Sequence, residues 1–218
     1  MSHFAVAVFT ESGDYSEVVR LLAPFQENNM GDCPKEYLKF IEDEDFDVDE
    51  ETGKHGYWEN PNAKWDWYSI GGRAHGLLIA KAGKRGKLGE RSFFGAPAEK
   101  GTYDSMKVED IDFDAMREQA KKSLTPFDSC WERRMYKPEY FQKKYPDEET
   151  YVRMNTEFST YACVTPDGEW HAPGTMGWWG IDDAKPEEKS EFLGGYFEKF
   201  IKPAIENGWH MTIVDCHI

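Results

Sequence analysis

Residues able to do chemistry crowd into one stretch, Asn60-Pro-Asn-Ala-Lys-Trp-Asp-Trp-Tyr-Ser-Ile-Gly-Gly-Arg73. Trp65, Trp67 and Tyr68 offer flat faces on which a ring can stack, and Lys64 and Arg73 can meet an anion. The Gly-Gly pair lets a backbone approach closely. If the segment before Gly71 is extended, alternation turns Trp65, Trp67 and Ser69 one way and Lys64, Asp66 and Tyr68 the other. The opposing structural reading makes Trp65 and Trp67 core residues and pairs Arg73 with an acid such as Asp66.

Two further groups carry reactive types. In the C-terminal Val214-Asp-Cys-His-Ile218, Asp215 and His217 share one strand face and Cys216 takes the other. That pattern suits general acid–base work by His217 oriented by Asp215, or, with His171 and His75 brought close, a metal site. No tight His-x-x-x-His spacing supports a metal, and no cofactor is expected. The loop Met176-Gly-Trp-Trp-Gly180 could place Trp178 and Trp179 as a stacking lid or as a plug at one end of a sheet.

Charge limits the partners. A net charge of −15 over 218 residues opposes general binding to nucleic acid or an anionic membrane. Residues 42–51 hold eight acids, whereas residues 61–100 hold eight Lys or Arg against three acids, so the aromatic motif lies in the one basic segment. Asp45-x-Asp47-x-Asp49 imitates the start of a calcium loop, but Glu50 replaces the required Gly and Gly56 the closing Glu, which leaves a solvated acidic loop over 42–56. Four scattered cysteines without a Cys-x-x-Cys pair predict reduced thiols and no disulfides. With no signal peptide pattern and no membrane-length apolar run, a cytoplasmic location is expected.

The positioning elements follow from periodicity. Phe4 to Phe9 predicts a buried central strand, and a helix capped by Ser16 follows with Val18, Val19, Leu21 and Leu22 inward. Pro34 to Ile41 predicts a short helix, Ala74 to Ala82 a strand, and Gly83 to Gly89 a basic turn where Lys84, Arg85 and Lys87 attract phosphate or simply solvate a tip. Asp112 or Asp114 caps a helix, and Pro138 and Pro146 divide an insertion over 125–155 into short helices. A hairpin turns at Pro166-Asp-Gly168, Pro186 to Asn207 forms a long helix, and Trp209 to Ile218 closes the chain as a strand. The expected fold is one elaborated α+β domain over 1–218, a mainly antiparallel sheet with helices on one face, ferredoxin-like with large insertions and the first and last strands at its centre.

The central motif, the segment Thr165-Pro-Asp-Gly-Glu-Trp-His with Met176-Gly-Trp-Trp-Gly180, and the terminal Val214-Asp-Cys-His-Ile218 together resemble a family of uncharacterised bacteriophage and bacterial proteins. The resemblance runs from end to end, although Ala74 stands where a Trp often follows the Arg. It implies a phage or mobile-element setting, hence a host cytoplasm, and carries no activity. From the residues, the leading expectation is a protein that sequesters an anionic, nucleotide-like molecule, such as a host defence signal. Trp65, Trp67 or Trp178 would stack its base, and Lys64 and Arg73 would take its phosphate. One alternative is a phosphodiesterase-type hydrolase with His217 or His171 as acid or base and Tyr68 as donor. A second is an acidic interaction protein that imitates DNA. The sequence leaves a homo-oligomer open.

Overall fold

The computed structural model describes residues 2–129 and 137–218, and for Trp178 the backbone alone. The apolar N-terminal run forms β1 (His3–Thr10), followed by α1 (Tyr15–Leu22). Asp14, two residues before the expected cap, caps α1 through a bond from the Ser16 amide. Val18, Leu21 and Leu22 are buried, whereas Val19 faces outward. The helix expected over Pro34–Ile41 is a single 3-10 turn, Lys35–Tyr37, that leads into β2 (Lys39–Glu42). β2 pairs antiparallel with β3 (Gly56–Glu59) as a separate two-stranded sheet, and Phe40 packs against Trp58 across it. This cross-strand aromatic contact outweighs a marginal helix of two turns. The acidic segment between the two strands is folded: Asp49 accepts bonds from the Thr52 amide and the Trp58 indole, and Phe46 packs on Tyr57.

The aromatic motif itself supplies β4 (Trp67–Gly72), and the strand expected over Ala74 to Ala82 shrinks to β5 (Leu78–Ile79). Short strands β6 (Glu90–Arg91), β7 (Thr102–Tyr103) and β8 (Ser105–Lys107) follow, then α2 (Phe113–Lys122), capped by Asp112. α3 (Pro138–Lys144) and α4 (Glu148–Thr156) begin at the expected breaks. The hairpin β9 (Ala162–Val164) and β10 (Trp170–His171) precedes α5 (Pro186–Tyr196). α5 widens into a π turn at Phe197–Ile201 and resumes as Lys202–Glu206. Pro203 offers no amide hydrogen to the preceding turn, and the wider register accommodates that loss. β11 (His210–His217) ends the fold.

The main sheet has seven strands in the order β10-β9-β1-β11-β4-β6, with β8 beside β11 beyond the end of β4. β1 and β11 pair antiparallel along their whole length at its centre. The class is α+β, but the sheet is mixed, because β9 lies parallel to β1 and β6 parallel to β4. A ferredoxin-like sheet would set the second hairpin strand beside β1, whereas here the first strand, β9, takes that place. Helices cover both faces, not one. Val6, Val8, Val214 and Cys216 pack against α1, while Ala7, Phe9, Met211 and Ile213 pack under Tyr196, Phe200 and Ile201. Residues buried on both faces explain why β1 and β11 are nearly continuous in apolar character up to their polar ends.

Candidate functional site

Strand alternation brings His3, Trp67, Ser69, Asp215 and His217 to one end of the sheet, on the face that carries α5 farther along. His3 and His217 are direct cross-strand neighbours, their ring centroids 4.9 Å apart. Each ring is held at Nδ1 by a carboxylate. His217 Nδ1 lies 2.7 and 2.9 Å from the two Asp66 oxygens, and His3 Nδ1 lies 3.1 Å from Asp215 Oδ1. Asp215, 2% exposed, also accepts the Arg73 amide at 2.7 Å. Trp67 stacks on His217 at 4.9 Å and meets His3 edge-on, with 45% of its surface open. A carboxylate at Nδ1 selects the tautomer in which Nε2 of the neutral ring is an acceptor. No hydrogen bond engages either Nε2 among the described residues, and the His3 and His217 side chains keep 12% and 5% of their surface exposed.

Gly71 and Gly72 make this approach possible. Both have positive φ, +84° and +52°. A Cβ on Gly72 would stand 2.4 Å from Asp215 Oδ2, and one on Gly71 would stand 2.5 Å from Asp104 Oδ2. Asp104 is fully buried and accepts the amides of Gly76 at 2.5 Å and Gly89 at 2.8 Å. His75 Nδ1 lies 2.8 Å from Asp104 Oδ2 but off the line of a hydrogen bond, so that nitrogen lacks a bonded partner. Three histidine–carboxylate pairs therefore surround the motif and its continuation. Next to the His75–Asp104 pair a cavity of about 380 Å³ is walled by Leu77, Ile79, Met116 and Ala120 and bordered by Arg73 and His75.

The expected constellation divides between the two sheet faces. Alternation starts only at Trp67, because the chain before it is not in a strand. Asp66 therefore joins Trp67 on the His217 side, while Trp65 and Tyr68 meet edge to face at 5.0 Å in the core under α1. Trp65 is buried and its indole N–H donates to the Leu22 carbonyl. Burial raises the Tyr68 hydroxyl above the usual phenol range, with the Cys216 thiol adding to it, which ill suits a proton donor. Lys64 borders a different cavity, with Phe25 and Trp170, so it does not converge with Arg73. The Arg73 guanidinium instead lies over the Phe94 ring at 5.5 Å.

His171 packs on Phe200 and contacts the Thr165 hydroxyl at 3.1 Å, away from His217 and in the α5-side core. Trp179 is exposed on a loop tied to Ser2, whose hydroxyl bonds Gly177 O and Gly180 N; the Trp178 side chain lies outside the described residues. Cys216 is buried and unpaired, as are Cys33 and Cys163, while Cys130 lies outside the described residues. Among the described residues no group of three or more His, Cys, Asp or Glu is placed to hold a metal, and no helix is long and apolar enough to cross a membrane.

His217 is oriented by Asp66, not by Asp215, whose ring partner is His3. His3 is the candidate residue the motifs do not announce; its signal is its place at the head of a strand that must pair with the last one. Asp104 has no sequence signal, since it sits in an ordinary Thr-Tyr-Asp-Ser run. No protein-family model matches the chain, and no curated protein or solved structure matches it either.

Proposed function

We propose that the protein hydrolyses a phosphate ester of an anionic, ring-bearing molecule of the nucleotide class, with His3 and His217 as its acid–base pair. The observation that carries this reading is the cross-strand pair itself: two imidazoles side by side, each anchored at Nδ1 by a carboxylate and with Nε2 in no hydrogen bond among the described residues. One ring takes a proton from the attacking water as the new P–O bond forms. The other gives a proton to the leaving oxygen as the old bond breaks. Arg73, which has no carboxylate partner among the described residues, suits the developing phosphoryl charge, and the apolar cavity beside it suits the ring. In the phage setting that the resemblance implies, the molecule would be a host defence signal.

Sequestration without turnover is the second reading. It is favoured by the exposed indole of Trp67, which can stack a base without any chemistry. Incubation with a panel of linear and cyclic nucleotides, followed by mass spectrometry and calorimetry, separates the two. Hydrolysis is expected, and His217→Asn or His3→Asn should each lower kcat by about 10²–10⁴-fold. Met116→Trp, which fills the cavity, should raise KM with little change in kcat. Ligand recovered intact at equimolar yield would establish sequestration, and no heat with any nucleotide would remove both readings.

A further inference from the structure

At the other end of β11, seven residues and roughly 23 Å from His217 at ~3.3 Å per residue, a third cavity, of about 510 Å³, opens between the β1–α1 turn and the basic segment 84–87. Arg85, Lys87, Lys107 and His210 line it, and so does one carboxylate, that of Asp110. Arg85 has no ion pair among the described residues. Lys87 Nζ donates to the Gly13 carbonyl at 3.1 Å and lies 5.2 Å from the Tyr15 ring centre, two contacts that leave its charge uncancelled. Lys107 pairs with Glu109.

The nearby carboxylates are committed elsewhere. Asp110 is held by Lys84 at 2.8 Å, and Glu17 accepts from the Glu11 and Ser12 amides and the Ser12 hydroxyl. Asp104 is occupied by the Gly76 and Gly89 amides. His210 Nδ1 is enclosed without a partner, as are the hydroxyls of its cross-strand neighbour Thr10 and of Tyr15. Gly13, at φ +68°, lets the turn close on the imidazole, since a Cβ there would stand 2.5 Å from His210 Cδ2.

We propose that this cavity binds a phosphate-type oxyanion, with Arg85 and Lys87 supplying the charge and the His210 ring forming part of its wall. Cations without carboxylate partners, gathered at one cavity, are what such an ion requires. The site is separate from the His3–His217 pair and does not depend on its chemistry. Burial pushes His210 below the ordinary imidazole range; Lys107 and Lys87 push the same way, against the Glu11 carbonyl and Asp110. A bound oxyanion reverses this local field, so the His210 pKa should rise as the site fills.

The test is an NMR titration of the histidine ring signals with inorganic phosphate, ionic strength being held constant with sodium chloride. A saturable shift of His210 with a raised pKa is expected. Arg85→Gln with Lys87→Gln should weaken the apparent affinity roughly tenfold per cation removed, about 1.4 kcal/mol each. Lys100→Gln, which removes one charge from the basic stretch 61–100 outside the cavity and so matches Arg85→Gln alone, should leave it unaltered. A parallel titration with a 5′-mononucleotide tells free phosphate from a phosphate carried on a larger molecule, according to which binds more tightly. A shift that never saturates, or equal affinity in the double variant, would overturn the proposal. Should the double variant unfold, the exposed Arg85→Gln alone carries the comparison.

Discussion

Asp66 and Asp215 do similar work on His217 and His3, each also accepting a backbone amide, but they differ in burial. Asp66 is partly exposed and holds the ring and the adjacent Trp67 amide where water can replace it, so Asp66→Asn should lower turnover while unfolding free energy shifts by no more than about 1 kcal/mol. Asp215 is buried and holds both His3 and the Arg73 amide. In Asp215→Asn, one of those donors faces an amide NH₂, which should cost about 1–3 kcal/mol in urea unfolding as well as activity. Equal stability loss in the two variants would show that this division of roles is wrong. His210 supplies a pH dependence. Its folded-state pKa lies below the ordinary 6.5, so in the window beneath 6.5 the unfolded chain binds the proton more readily. Its contribution to stability is complete above that value and is lost as pH falls through it. His210→Gln should flatten the slope of unfolding free energy over that window, a comparison made by denaturant melts at a series of pH values.

Among elements, β11 has the largest share of both core and site. Its two edges meet β1 on one side and β8 and then β4 on the other, and its faces feed both helical layers. Ile213→Ala, at a fully buried position, should therefore cost about 2–5 kcal/mol. Phe93→Ala, on a side chain almost wholly exposed, should stay within about 0.5 kcal/mol. Chemical denaturation checks both. β1, α2, α5, the β9–β10 hairpin and β11 were legible because each has a long run of one period or a specific turn. β2 was not, because four strand residues and a short helix leave the same apolar trace until Trp58 is known to lie opposite Phe40. The π turn could be anticipated only as a disturbance near Pro203.

At the scale of the whole molecule, the acidic loop and the candidate site belong to different sheets, β2–β3 and the main one. Converting the exposed Glu44, Asp45 and Asp47 to amides should leave nucleotide turnover unchanged; loss of activity measured by the same mass spectrometry would favour the acidic interaction reading instead. Thiol chemistry probes the core. Burial pushes both Cys163 and Cys216 far above the usual thiol range, so neither offers a thiolate at pH 8. Both should resist Ellman's reagent until the chain unfolds, with peptide mapping to distinguish them from Cys130. Rapid native labelling of Cys216 would mean that the centre of the sheet opens easily.

The sequence by itself determined the chain's α+β class, its central first and last strands and the concentration of reactive residues in one motif, because local periodicity and composition suffice for these. Alternation along β11 likewise separated Asp215 and His217 from Cys216. Which groups meet was decided only by tertiary structure. Asp66 reaches His217, and Asp215 reaches His3, across 151 and 212 residues of chain. Lys64 and Arg73 were parted by a strand that begins three residues after Lys64. Partners so distant are chosen by strand register, and register comes from burying apolar residues on both faces of the sheet at once, a condition no local pattern contains.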